Sequence, residues 1–278
     1  MSIEPCIFPG TGFLQFYAVA RENVKVPAKL WNILTFVAGT LRIVVSSYAS
    51  THITAGGVMN RLSRVIPAIL TDDPEALKKM VRQSESFTDY VQFDIMDGQF
   101  VPSSSITCDD IASLSPKLSW EAHIMVQRPE VYLEGFKKAG AQKVVFHYEA
   151  TPSPRDVIAL ARELDLEVGL AVNPETQVSA ILPLVNEVDS ILFLTVNPGF
   201  YGSQFIPEVL NKVAELRSSY PAIEIGVDGG IKGGNIVQIA QFGVDVICVG
   251  SAIFLQPEPG ESFRRLSALA EEGSQNSR

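Results

Sequence analysis

Eight short apolar runs recur at regular intervals from residue 64 onward, at 65–70, 90–95, 120–125, 144–147, 168–172, 191–196, 223–227 and 244–249. Helix-like stretches fill the intervals, and several open with a capping residue and a proline: Asp73-Pro74 ahead of Leu77 and Val81, Arg128-Pro129 ahead of Val131 and Phe136, Ser153-Pro154 ahead of Ile158 and Leu160. Strands that alternate with helices pair in parallel, and eight of them close on themselves. The expectation is an α/β protein, a (β/α)8 barrel of the TIM type forming a single domain with an N-terminal extension. A length of 278 residues with 46% hydrophobic composition is enough for one such core. An open doubly wound sheet would normally show fewer strands and a glycine-rich first turn. Here the first turn reads Leu70-Thr71-Asp72-Asp73, and the glycines come late, after the sixth, seventh and eighth runs. Barrels often place a phosphate site in those loops.

Residues 1–58 lack this alternation. Their apolar patch, 30–45, is interrupted by Arg42 and is too short to span a membrane. It also lies far from the start and follows no short basic segment, so it does not read as a signal peptide. The expected organisation is an extension over 1–58, non-native or disordered, a catalytic barrel over 59–270, and a polar tail over 271–278. A sharper hypothesis starts translation at Met59, with Met59-Asn60-Arg61-Leu62 leading into the first strand and Ala55-Gly56-Gly57-Val58 encoded by a purine-rich ribosome-binding stretch. The net charge of -9, with only 22 Lys and Arg, argues against nucleic acid as a partner. It leaves room for a phosphorylated small molecule, which backbone N–H groups can hold locally. Cys6, Cys108 and Cys248 form no C-x-x-C pair, which fits a reducing, cytoplasmic setting without a thiolate zinc site. Cys248 lies inside an apolar run and reads as core.

Polar residues that break an apolar run near a strand's C-terminal end face the mouth of a barrel. The second run ends Gln92-Phe93-Asp94-Ile95-Met96-Asp97-Gly98, and alternation puts Gln92, Asp94 and Met96 on one face. The third run offers His123 near its end, and the seventh ends Val227-Asp228-Gly229-Gly230. A single His or Asp in such a place is ordinarily a core or turn residue. Three ionisable groups buried at one end are costly unless they pair or bind a cation. The late glycines form a second constellation, in Asn197-Pro198-Gly199-Phe200-Tyr201-Gly202, Gly229-Gly230 and Gly250-Ser251. Each alone is a tight turn, whereas three neighbouring loops fit a phosphate cradle.

The blocks Asp94-Ile95-Met96-Asp97-Gly98-Gln99-Phe100-Val101-Pro102, Ala122-His123-Ile124-Met125, Val196-Asn197-Pro198-Gly199-Phe200 and Val227-Asp228-Gly229-Gly230-Ile231-Lys232 resemble, in order, the signature blocks of the ribulose-phosphate 3-epimerase family. The similarity covers roughly residues 64–256. The resemblance implies an isomerase of carbohydrate metabolism, in the pentose phosphate pathway, that inverts C3 of a ketose phosphate, interconverting D-ribulose 5-phosphate and D-xylulose 5-phosphate. It implies that Asp94 and Asp228 are the acid/base carboxylates and that both, with His123, ligate a divalent cation such as zinc, iron or manganese. It further implies that Gly199, Phe200, Tyr201, Gly202, Gly229, Gly230, Gly250 and Ser251 hold the phosphate end, that His123, Met96 and Met125 contact substrate, and that the enzyme is a homo-oligomer. Two opposed carboxylates suit this chemistry, because a proton alpha to a carbonyl leaves one face and another returns to the opposite face. The enediolate between the two steps carries negative charge that a cation stabilises.

Two departures from the family pattern bear on that reading. Gln92 stands where the pattern has a metal-ligating His, and an amide oxygen is a poorer ligand than imidazole for zinc or ferrous iron. Ala68 stands where the pattern has Ser, removing a hydroxyl bond of roughly 0.5–1.5 kcal/mol. Gln99, Leu194 and Tyr201 are smaller changes, and His147 matches a family His read as core or as support for the site. The alternative is a non-catalytic phosphosugar-binding barrel that has lost its metal. A Schiff-base aldolase is disfavoured, because Lys143 lies at the start of its strand and Lys232 lies past Gly229-Gly230.

Overall fold

The computed structural model describes residues 34–37, 40–43, 51–53, 59–199 and 203–276. Phe200, Tyr201 and Gly202, expected at the phosphate end, and most of the expected extension lie outside the described residues, as does the stretch on which the Met59 start hypothesis rests. Two compact units divide the chain, Met1–Gly57 and Val58–Arg278. In the first, strands β1 (Leu34–Val37), β2 (Thr40–Ile43) and β3 (Thr51–Ile53) pair antiparallel, with Leu34 opposite Ile43 and Arg42 opposite His52. The apolar patch of 30–45 therefore contributes strands rather than a long helix.

The second unit opens with β4 (Met59–Arg61) and continues into the barrel strands β5 (Arg64–Ile69), β6 (Tyr90–Met96), β7 (Ser119–Met125), β8 (Lys143–His147), β9 (Glu167–Val172), β10 (Ser190–Leu194), β11 (Glu224–Asp228) and β12 (Val246–Val249). These eight pair in parallel and close in the order β10-β11-β12-β5-β6-β7-β8-β9. Each coincides with one of the eight apolar runs. The run at 244–249 yields the four-residue strand Val246–Val249; just before it the Asp245 carboxylate accepts the Ile225 N–H at 2.8 Å and also takes the Arg217 guanidinium.

Both strand faces are apolar because both are buried. Ile66, Val145, Leu192 and Val246 pack inside the barrel, while Val91, Phe93, Ile124 and Phe146 face the helical layer. Burying each such side chain stabilises the fold by about 1.5–3 kcal/mol relative to exposure. The helix Pro74–Ser84 is capped by Asp73, whose carboxylate accepts the Glu75 N–H at 3.0 Å, and it buries Leu77 and Val81. The Arg128-Pro129 signal behaves differently. Arg128 is left-handed at φ 55° with no side-chain cap, so only a short turn, Pro129–Val131, forms and the helix starts at Leu133, leaving Val131 exposed. The last helix runs Pro259–Gln275, so the polar tail expected from residue 271 starts later. Its final turn is held by Ser274, whose hydroxyl accepts the Ser63 N–H at 2.9 Å, and burial of Gly273 and Ser274 gives those small polar residues a structural place.

Candidate active site

Strand register brings the polar interruptions together. Asp94 on β6 lies beside His123 on β7, Asp228 on β11 lies beside Cys248 on β12, and Ala68 on β5 lies beside Gln92 on β6. All are buried at the C-terminal half of the barrel interior. One ligand atom from each of Asp94, His123 and Asp228 lies within 4.8 Å of the others. His123 Nδ1 is 3.0 Å from Asp94 Oδ1 and 3.3 Å from Asp228 Oδ2.

Gln92 bridges the same two carboxylates. Its Nε2 donates to Asp94 Oδ1 at 2.8 Å and to Asp228 Oδ2 at 2.7 Å, while its Oε1 accepts from the Cys248 thiol at 3.1 Å. The reverse orientation would set an amide oxygen against two carboxylate oxygens. An NH2 group cannot ligate a cation, so Gln92 does not serve as the fourth ligand in this arrangement. Cys248, read as core, does more than pack: its S–H fixes which end of the Gln92 amide meets the acids.

Burial and the neighbouring Asp228 raise the Asp94 pKa to about 6, against the pull of His123 and Gln92 in the opposite direction. Burial opposes a charge on His123, yet its bonds to Asp228 and Asp94 outweigh that and lift its pKa to about 10. Two acids and one imidazole, buried together, form a donor set that fits a divalent cation.

The adjoining pocket is lined by both aspartates together with Ala68, Cys248, Gly229, Gly230, Gly250 and Ser251. Gly229 and Gly230 have φ of 109° and 65°, and a side chain at Gly229 would collide with Val196 while one at Gly230 would come within 3.0 Å of the Phe205 backbone. Glycine is therefore required there by conformation and by space. The other expected contacts lie further out. Gly199 packs against Val101 and Pro102, and its carbonyl accepts from Ser103 Oγ at 2.6 Å. Met96 and Met125 are buried with Val101 in a small apolar cluster that reaches the pocket through Leu70.

His147 proves to be a direct support of the site, with its Nε2 3.0 Å from His123 Nε2. Glu149 lies behind it, with a carboxylate oxygen 3.5 Å from His147 Nδ1, and the His147-Tyr148-Glu149 spacing at a strand end is the sequence signal that marks it. Lys143 sits at the opposite end of the interior, between Glu121 at 3.2 Å and Glu224 at 3.0 Å, far from any Schiff-base role.

The chain is similar to known proteins in sequence and in fold. The model of the ribulose-phosphate 3 epimerase family matches residues 64–254. The ribulose-phosphate 3-epimerase of Schizosaccharomyces pombe is 36% identical over 205 residues, covering 72% of this chain and 90% of that protein. The cytoplasmic isoform from Oryza sativa subsp. japonica is 38% identical over 224 residues, covering 77% and 96%. Among solved structures, the KGPDC of Streptococcus mutans in complex with D-R5P superposes with a TM-score of 0.62 at 12% identity, covering 76% of this chain and 98% of that one. A 3-hexulose-6-phosphate synthase gives 0.57 at 17%, covering 74% and 99%. These two share the barrel. With the family blocks in order, eight strands closed, and relatives above 30% identity along nearly their whole length, this chain belongs to the ribulose-phosphate 3-epimerase family, isomerases that act on carbohydrates.

Proposed function

We propose that the protein interconverts D-ribulose 5-phosphate and D-xylulose 5-phosphate by inversion at C3. The observation that carries this reading is that Asp94 and Asp228, from separate strands of the barrel, line one pocket with Gly229, Gly230, Gly250 and Ser251. The glycine N–H groups and Ser251 receive the phosphate, which orients the sugar across the two carboxylates. One aspartate takes the C3 proton, and the other delivers a proton to the opposite face. In the reverse direction the roles exchange. In the metal-free site, burial and the neighbouring Asp228 hold the Asp94 pKa above the ordinary carboxylate range. Asp94, His123 and Asp228 would hold the divalent cation, zinc, iron or manganese. When bound, it supplies Lewis-acid stabilisation for the charge that builds on the sugar oxygens.

The barrel of residues 59–270 is the catalytic unit in this reading, working as a cytoplasmic homo-oligomer without nucleic acid or membrane. The name of the rice cytoplasmic isoform supports the location, and no helix among the described residues is long and apolar enough to cross a membrane. The test is deuterium incorporation from solvent at C3 of D-ribulose 5-phosphate, before chelation, after it, and with zinc, manganese or ferrous iron restored. Metal-dependent exchange is expected. Failure under every condition, with phosphosugar binding intact, would replace this reading by that of a non-catalytic phosphosugar-binding barrel.

A further inference from the structure

His123 has two ring nitrogens with different neighbours. Its Nδ1 faces Asp94 and Asp228, and its Nε2 faces Nε2 of His147 at 3.0 Å. The imidazole centroids are 5.1 Å apart and the planes differ by 22°. That separation exceeds the nitrogen–nitrogen distance by the width of one ring, so the rings meet edge to edge in nearly one plane. Such a contact is a hydrogen bond, and it holds a single proton.

Two arrangements satisfy it. If His147 donates, His123 keeps its remaining proton on Nδ1 and cannot ligate through that atom. His147 Nδ1 would then point a bare lone pair at the Glu149 carboxylate, 3.5 Å away. If His123 donates, its Nδ1 is free for a cation, and His147 carries its own proton on Nδ1, toward Glu149. The surroundings favour the second arrangement. His147 Nδ1 is buried and faces the Glu149 carboxylate, which can only accept, so that nitrogen is the one that carries the proton. Glu149 is itself held by the Asn173 N–H at 3.0 Å and by the Thr176 hydroxyl.

We propose that Glu149 and His147 are positioning residues that set the tautomer of His123: the Glu149 carboxylate draws the His147 proton to Nδ1, and His147 Nε2 then accepts from His123 Nε2–H, leaving His123 Nδ1 to bind the cation. The role rests on the cation being held by Asp94, His123 and Asp228. Outer carboxylates that orient a ligating imidazole raise its basicity and hold its ring plane, and their loss weakens metal affinity.

The chain has three histidines, His52, His123 and His147, so nitrogen-15 histidine labelling resolves each tautomer. In long-range proton–nitrogen spectra of the full chain, His147 is expected to be neutral with its proton on Nδ1, both before and after zinc is added. Zinc is expected to shift His123 Nδ1 while Nε2 stays protonated. A His147 proton on Nε2, or zinc on His123 Nε2, overturns the proposal. In competition against a chromogenic chelator, Glu149→Gln is expected to weaken zinc binding roughly 10- to 100-fold, with the melting temperature of the zinc-free protein unchanged. Unaltered zinc affinity in that variant also overturns it. If the wild-type chain binds no zinc at all, the cation reading fails separately, and the His147 tautomer in the zinc-free protein still decides the Glu149–His147 relationship.

Discussion

The barrel interior carries a buried ionic cluster at each end, with Ile66, Val145, Leu192 and Val246 packed between them. At the N-terminal end, Lys143 lies between Glu121 and Glu224, the Tyr90 hydroxyl donates to Glu121 at 3.1 Å, and the Arg64 guanidinium sits 5.3 Å from the centre of the Tyr90 ring. At the C-terminal end, Asp94 and Asp228 share His123 and the Gln92 amide. The first cluster is compensated by cations that keep their charge, since Glu121 and Glu224 push the Lys143 pKa upward despite its burial. The second is compensated by an imidazole that can surrender a proton and by the NH2 end of an amide, which can only donate. Fixed compensation makes a structural plug, and exchangeable compensation makes a site open to a cation and to proton transfer.

The largest expected effect separates the two ends by activity. Asp94→Asn and Asp228→Asn should each lower turnover by up to about 10⁴-fold, about 5 kcal/mol of barrier, with little change in urea midpoint. Near-normal turnover in either would end the two-carboxylate mechanism. At the other end, Lys143→Met leaves the buried Glu121 carboxylate without its cation beside the half-buried Glu224 and should destabilise the fold by roughly 3–5 kcal/mol in urea unfolding. A loss below about 1 kcal/mol would show that the lower cluster does not need its cation.

The two ends also differ in pH response. His123 has a folded pKa of about 10 against an ordinary 6.5, so its contribution is full below 6.5 and is lost as pH rises toward 10. The metal-free protein should therefore melt at progressively lower temperature across that interval, while zinc affinity increases as the Nδ1 proton becomes easier to displace. Lys143, raised above its ordinary 10.5, adds no slope in the same range. A flat melting profile from pH 6.5 to 10 would contradict the pairing of His123 with the two acids. The smallest effect is expected from Gln92→His, which replaces an amide donor by a ligand and should tighten zinc binding by roughly tenfold, about 1.4 kcal/mol. Unchanged metal content would mean that position 92 does not tune the site.

Much of this was legible beforehand because it is local. Apolar runs broken at Asp94, His123 and Asp228 mark strand ends, and Gly229-Gly230 marks a turn that only glycine can make. Less legible were features that depend on which strand lies next to which. Cys248 reads as core until closure sets its thiol against Gln92, a contact across 156 residues. Lys143 reads as a strand-start lysine until Glu224, 81 residues away, meets it inside the barrel. The polar tail from residue 271 reads as solvent-exposed until Ser274 reaches Ser63.

By itself, the sequence determined the alternation of strands and helices, the number of strands, and the residue types able to move a proton or hold a cation, because these follow from periodicity and side-chain chemistry. Only the tertiary structure decided how the charges are compensated. Gln92 and Asp228 are 136 residues apart, yet their atoms lie 2.7 Å from each other. Electrostatic interaction depends on distance through space and on burial, and both are set when the barrel closes.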